Sequence, residues 1–158
     1  MNRPATAADI MTTPVHTVGP ADPLPKVVAL LCRHRISGVP VVDAKGHLAG
    51  LISERDILEA MYPNHRELRQ RRPRLRLDKP IREIRAIQAR EIMIREVVTA
   101  APDADVLRLA SLMAINKIRR IPIVKDGRLV GIVSQGDVYR AIFEQQRLVL
   151  REKREEST

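Results

Sequence analysis

The chain is one motif written twice. Residues 50–56, GLISERD, return as GIVSQGD at 131–137, and the match extends far beyond them at an offset of 82 positions, shortened by one after Lys45. Ile10-Met11 aligns with Ile92-Met93, Val15 with Val97, Thr17 with Thr99, Pro20 with Pro102, Leu30 with Leu112 and Ile36 with Ile118. The register continues through Pro40 and Pro122, Val42 and Val124, Gly46 and Gly127, Leu48 and Leu129, Gly50 and Gly131, Ser53 and Ser134, Asp56 and Asp137. Chance does not keep Gly, Pro, Ser and Asp in step over such a length. Two copies are too few for a solenoid, so the expectation is a pair closing around a pseudo-two-fold axis.

Each copy predicts the same order of elements. Val15–Val18 and Val97–Ala100 are short apolar runs that end at a proline, expected as strands. Leu24, Val27, Val28 and Leu31, like Val106, Leu109, Ala110 and Met113, recur at i, i+3, i+4 and i+7, one face of a helix. Asp22-Pro23 is expected to cap the first of these helices, and Asp103 or Asp105 the second. Val39–Val42 and Ile121–Val124 follow as strands, each holding a proline that limits the ladder. Turns at 44–46 and at Asp126-Gly127 then make each the first half of a hairpin, and the partner strands Leu48–Ile52 and Leu129–Val133 run into a final helix. The fold class is therefore α/β (α+β), in two pseudo-symmetric β-α-β-β-α repeats that face each other as a pair.

The expected boundaries are 8–60 for the first repeat, 61–89 for a linker or insertion, 90–143 for the second repeat and 144–158 for a C-terminal helix and charged tail. Ile81, Ile84 and Ile87 could return a short helix to the body, and Val138, Ile142, Phe143, Gln146 and Leu150 carry the last helical stripe. The linker holds five arginines in RQRRPRLR: Arg69, Arg71, Arg72, Arg74 and Arg76. It accounts for much of a net charge of +9, which favours anionic partners. A nucleic acid is one such partner, but only Tyr62, Tyr139 and Phe143 are aromatic, which leaves no stacking platform.

Several chemistries have no carrier. No GxSxG, Gly-rich loop ending in Gly-Lys-Ser/Thr or nucleophile-base pair occurs, so no enzymatic activity is expected. His16, His34, His47 and His65 lack metal-ligand spacing, and Cys32, in an apolar helical stripe, is expected in the core. The apolar runs are too short for a membrane span and the first residues lack a secretory core, which points to the cytoplasm.

Ser53-Glu54-Arg55-Asp56 and Ser134-Gln135-Gly136-Asp137 allow two readings. One is a capping box, in which serine and the acid three residues on exchange hydrogen bonds with each other's amides. The other is a ligand site. A helix leaving a strand end offers free amides and a positive dipole end to a phosphate, and an aspartate one turn on could accept from a ribose diol. A helix start can do both.

The ordered set of Ile-Met leads, h-P-h-V strands and G-h-h-S-x-x-D endings resembles tandem cystathionine-β-synthase (CBS) domains, the Bateman module, over residues 8–60 and 90–143. The resemblance implies two repeats packed through their sheets, forming a non-catalytic regulatory module with two mixed clefts for AMP, ADP, ATP or S-adenosylmethionine. One cleft would use Ser134 and Asp137 with Thr17, Ile36, Ser37 and Gly38. The other would use Ser53, Arg55 and Asp56 with Thr99, Ile118, Arg119 and Arg120; the strand prolines Pro40 and Pro122 adjoin them. The arginines of this second cleft would favour more phosphates, and the Asp137 cleft AMP or a nearly neutral adenosyl compound. A homodimer signalling to a separate effector protein is implied too. Two other readings stay open at this point: a basic nucleic-acid-binding protein using the arginine run, and a ligand-free dimerisation module.

Overall fold

The computed structural model describes residues 3–61 and 80–144. The arginine run, Tyr62, His65, Gln146, Leu150 and the charged tail lie outside the described residues. Among the described residues, no helix is long and apolar enough to cross a membrane.

The chain forms two compact units, and neither coincides with one repeat. One joins Met1–Val15 to Val98–Thr158, and the other is the continuous stretch His16–Val97. Each unit thus takes the body of one repeat together with the Ile-Met lead that precedes the other.

In the continuous unit, helix α2 (Leu24–His34) is followed by the hairpin β1 (Gly38–Val42) and β2 (Leu48–Ser53), then α3 (Glu54–Met61), α4 (Ile81–Ala86) and α5 (Ala89–Ile92). The strands are antiparallel, with Val39 opposite Ile52 and Gly38 opposite Ser53. The other unit begins with the one-turn α1 (Ala7–Ile10) and continues with α6 (Val106–Asn116), β3 (Arg120–Lys125) and β4 (Arg128–Ser134). A last helix, α7, covers residues 135–144. Here Ile121 lies opposite Val133 and Arg120 opposite Ser134. Asp126 and Gly127 both have positive φ, 50° and 76°, the backbone of a two-residue hairpin turn.

The helical stripes bury as their spacing requires. Leu24, Val27 and Leu31 enter one core with Val39, Val41 and Ile52; Val106, Leu109 and Met113 enter the other with Ile121, Ile123 and Val133. Val28 is an exception at 37% exposed, and Cys32 is exposed rather than buried. Cys32 is one residue beyond buried Leu31, and a step of about 100° carries it off the core face.

The strands expected at Val15–Val18 and Val97–Ala100 shrink to single parallel bridges, Val18 to Val41 and Ala100 to Ile123. The Val18 amide donates to the Pro40 carbonyl at 3.1 Å, and the Val42 amide to the Val18 carbonyl at 2.9 Å. Extending the ladder one step towards His16 would need an N–H from Pro40, which has none. Pro122 stops the Ala100 bridge in the same way.

Capping departs from expectation once. Asp105 caps α6, accepting from the Arg108 amide at 2.8 Å. Pro23, not Asp22, occupies the cap position of α2, and Asp22 instead accepts from the Gly19 amide at 2.7 Å and from Lys26 at 2.8 Å.

Candidate functional site

The paired Ser-x-x-Asp sequences both form complete capping boxes. In the first, the Ser53 amide and hydroxyl donate to Asp56 Oδ2 at 2.6 and 2.7 Å, and the Asp56 amide donates back to Ser53 Oγ at 3.4 Å. In the second, the Ser134 amide and hydroxyl donate to Asp137 Oδ2 at 2.8 and 2.6 Å, with a return bond of 3.3 Å from the Asp137 amide. The box engages only Oδ2 of each carboxylate. Oδ1 of Asp137 lies 3.7 Å from the Arg140 guanidinium. Both aspartates are half-buried at a helix start, so each couples a fixed carboxylate to the positive end of a helix dipole.

Hairpin register decides what stands beside these boxes. Gly38 faces Ser53, and the Glu54 amide donates to the Ser37 carbonyl at 3.1 Å. Arg120 faces Ser134, while the Gln135 amide donates to the Arg119 carbonyl at 2.9 Å and its side chain to the Ile118 carbonyl at 3.4 Å. Each unit therefore brings its own trio, Ile36-Ser37-Gly38 or Ile118-Arg119-Arg120, to its own Ser-Asp box.

Other expected site residues fare differently. Pro40 and Pro122 are fully buried in their hairpins, which makes them core residues with no surface to offer a ligand. Arg55 is exposed and paired with Glu59 one turn on, Nε to Oε1 3.0 Å. Thr17 is half-buried. Thr99 is exposed and lines a cavity of about 610 Å³ with Asp103, Asp105, Arg108 and Asp126. Asp137 lines another, of about 380 Å³, with Ala5, Asp9, Ile10, Arg140, Ala141 and Glu144.

Two features escaped the sequence reading. His16, beside Thr17, stacks on His34, ring centroids 3.6 Å apart and planes within 20°. No periodicity links residues so placed. The other is a pair of notches. Met93 packs on Gly50, where a Cβ would stand 2.7 Å from its sulfur and 2.7 Å from the Ile94 carbonyl oxygen, and Met11 packs on Gly131 more tightly still. The repeated Ile-Met and the repeated glycine were visible separately; their contact was not.

Known proteins place this arrangement. Residues 7–63 and 89–144 each match the CBS domain. An uncharacterised protein of Methanocaldococcus jannaschii is 32% identical over 151 residues, covering 85% of this chain and 89% of that protein. The crystal structure of CBSX2 in complex with AMP superposes with a TM-score of 0.71 at 26% identity, covering 89% of this chain and 98% of that one. The CBS domain pair of protein MJ0100, in complex with 5′-methylthioadenosine and S-adenosylmethionine, gives 0.71 at 28% identity over 90% and 99%. With both repeats matched, the chain belongs to the CBS domain family as a tandem pair of repeats.

Proposed function

We propose that this chain is a non-catalytic regulatory module that binds an adenosine compound at its Ser-x-x-Asp helix starts and signals to a separate partner protein in the cytoplasm. The observation that carries this reading is the doubled capping box, which holds each carboxylate in place through one oxygen at the positive end of a helix. The neighbouring CBS pairs crystallised with AMP, or with methylthioadenosine and S-adenosylmethionine, support an adenosine ligand. The crossed clefts that the resemblance implies, Ser134 and Asp137 with Thr17 and Ile36-Ser37-Gly38, and Ser53 and Asp56 with Thr99 and Ile118-Arg119-Arg120, are part of this proposal in addition to the trio that register sets beside each box within its own unit. The aspartate accepts from the ribose hydroxyls, and the aliphatic residues hold the base. A homodimer fits the exposed Leu58 of α3 and Tyr139 and Phe143 of α7, which give these helices apolar outer faces.

A thermal-shift series over AMP, ADP, ATP, S-adenosylmethionine, methylthioadenosine and GMP tests the reading. A ligand that binds only the folded chain raises its stability by RT ln(1 + [L]/Kd), about 2.7 kcal/mol at a hundredfold excess over Kd. A shift with adenosine compounds and none with GMP is expected. No shift with any of them leaves a ligand-free dimerisation module.

A further inference from the structure

The N-terminal segment is bound to the strand leading into the Asp137 box by more than the folding of a one-turn helix requires. Its own box, the Thr6 amide and hydroxyl both donating to Asp9 Oδ2 at 2.8 Å, starts α1. Ala7 is completely buried, and the amides of Ala7 and Ala8 donate to the carbonyls of Ala104 and Pro102 at 2.7 and 2.8 Å. Met11 fills the notch over Gly131. Thr12 then exchanges two backbone hydrogen bonds with Ile132, of 2.9 and 3.2 Å, two residues before Ser134. The segment thus grips the strand that ends at the box. It also lines the cavity: Ala5, Asp9 and Ile10 face the same space as Asp137, Arg140 and Glu144.

Resting on the function proposed above, we propose that residues Ala5–Met11 form a wall of the Asp137 ligand site, so that ligand binding and docking of this segment stabilise each other and Asp9 sets the charge the site accepts. The coupling is reciprocal by necessity. If the docked segment tightens the ligand, the ligand must tighten the segment by the same factor. Asp9, whose Oδ1 pairs with Arg3 at 2.8 Å, and Glu144 join Asp137 around Arg140, so a phosphate entering this cavity meets three carboxylates against two guanidiniums, a net repulsion that an uncharged or cationic adenosyl group escapes.

The test uses the full chain carrying Asp56→Ala, so that only the Asp137 site is read, with AMP and methylthioadenosine as probes in calorimetric titrations. Gly131→Ala places a Cβ against Met11, 2.8 Å from its Cγ, and displaces the anchor without altering a cavity residue. Met11→Ala removes the anchor with no collision and serves if the first variant does not fold. Either should weaken both probes about tenfold, a difference of about 1.4 kcal/mol. Asp9→Asn keeps the amide oxygen that caps α1 but loses the charge, so AMP should bind several-fold tighter while methylthioadenosine is unchanged. Bound ligand should also slow hydrogen exchange at the Ala7 and Ala8 amides. Unchanged affinities in the anchor variants, equal shifts of both probes in Asp9→Asn, or loss of binding on Asp56→Ala alone overturns the inference while leaving the function standing. Absence of binding of either probe to the unsubstituted chain overturns both.

Discussion

Asp56 and Asp137 each close a helix start through Oδ2, so substitution separates two roles. Asp56→Ala with Asp137→Ala should abolish adenosine-compound binding in calorimetry while costing about 0.5–2 kcal/mol of stability per cap in chemical denaturation. A double variant that keeps its affinity refutes the assignment. The histidine stack offers a separate handle. Removal of water from the His34 ring, with the neighbouring His16 and Arg33, holds its pKa below the ordinary 6.5. A folded-state pKa below the unfolded one means that the unfolded chain takes up the proton first. The stabilisation is complete above 6.5 and is lost as pH falls through the lowered value. Bonds from the Thr6 amide, the Lys26 ammonium and the His47 amide hold Asp9, Asp22 and Asp43 below 3.8, so their loss comes only in more acid solution. The melting temperature should decline as pH falls below about 6.5, and His34→Gln should flatten that decline. The boxes were legible because Ser and Asp three residues apart interact along the chain. The stack was not, because His16 and His34 meet only through the fold around α2.

Helices α2 and α6 both end on a side chain held in the left-handed region, Arg35 at φ 52° and Lys117 at φ 54°. That conformation costs a residue with a Cβ roughly 1–2 kcal/mol, while glycine there loses roughly 0.4–1 kcal/mol through its freer unfolded state. Lys117 is exposed, so Lys117→Gly should raise stability by a few tenths to about 1 kcal/mol in a urea titration. A decrease would mean that Lys117 makes a contact of larger value. Helix ends of this kind carried no glycine signal, which is why the sequence located the apolar faces of α2 and α6 better than their last turns. The strands expected before Pro20 and Pro102 shorten to single bridges for a related reason. Their residues suit a ladder, but Pro40 and Pro122 in the neighbouring strand withhold the next donor, and a periodicity argument sees one strand at a time.

Among the described residues, the core built on α2 and the β1–β2 hairpin is drawn from the continuous unit His16–Val97 alone, including Ile84, Ala89 and Met93 from beyond the linker. Ile84 and Met93 are 4% and 9% exposed, and burying such side chains contributes about 1.5–3 kcal/mol each, a large share of a typical domain's 5–15. A fragment 16–97 should therefore unfold cooperatively in urea. A fragment 8–60, cut at the repeat boundary, should not, because it lacks those side chains and the two hydrogen bonds that Leu51 exchanges with Ile94 at 3.0 and 2.9 Å. Cooperative unfolding of 8–60 would show that the repeat, not the compact unit, is the folding element. The repeat, its hairpins, the apolar helix faces and the Ser-x-x-Asp starts followed from the amino-acid order alone, because each rests on contacts between neighbours in the chain or on a regular period. The partner of each Ile-Met lead did not. Ala7-Ala8-Asp9-Ile10-Met11 and Ala89-Arg90-Glu91-Ile92-Met93 are nearly the same word, and Gly50 and Gly131 are matching notches, so local chemistry fits either lead to either notch. Tertiary packing chose Met11 for Gly131 and Met93 for Gly50, and with that choice brought Asp9 to the cavity of Asp137.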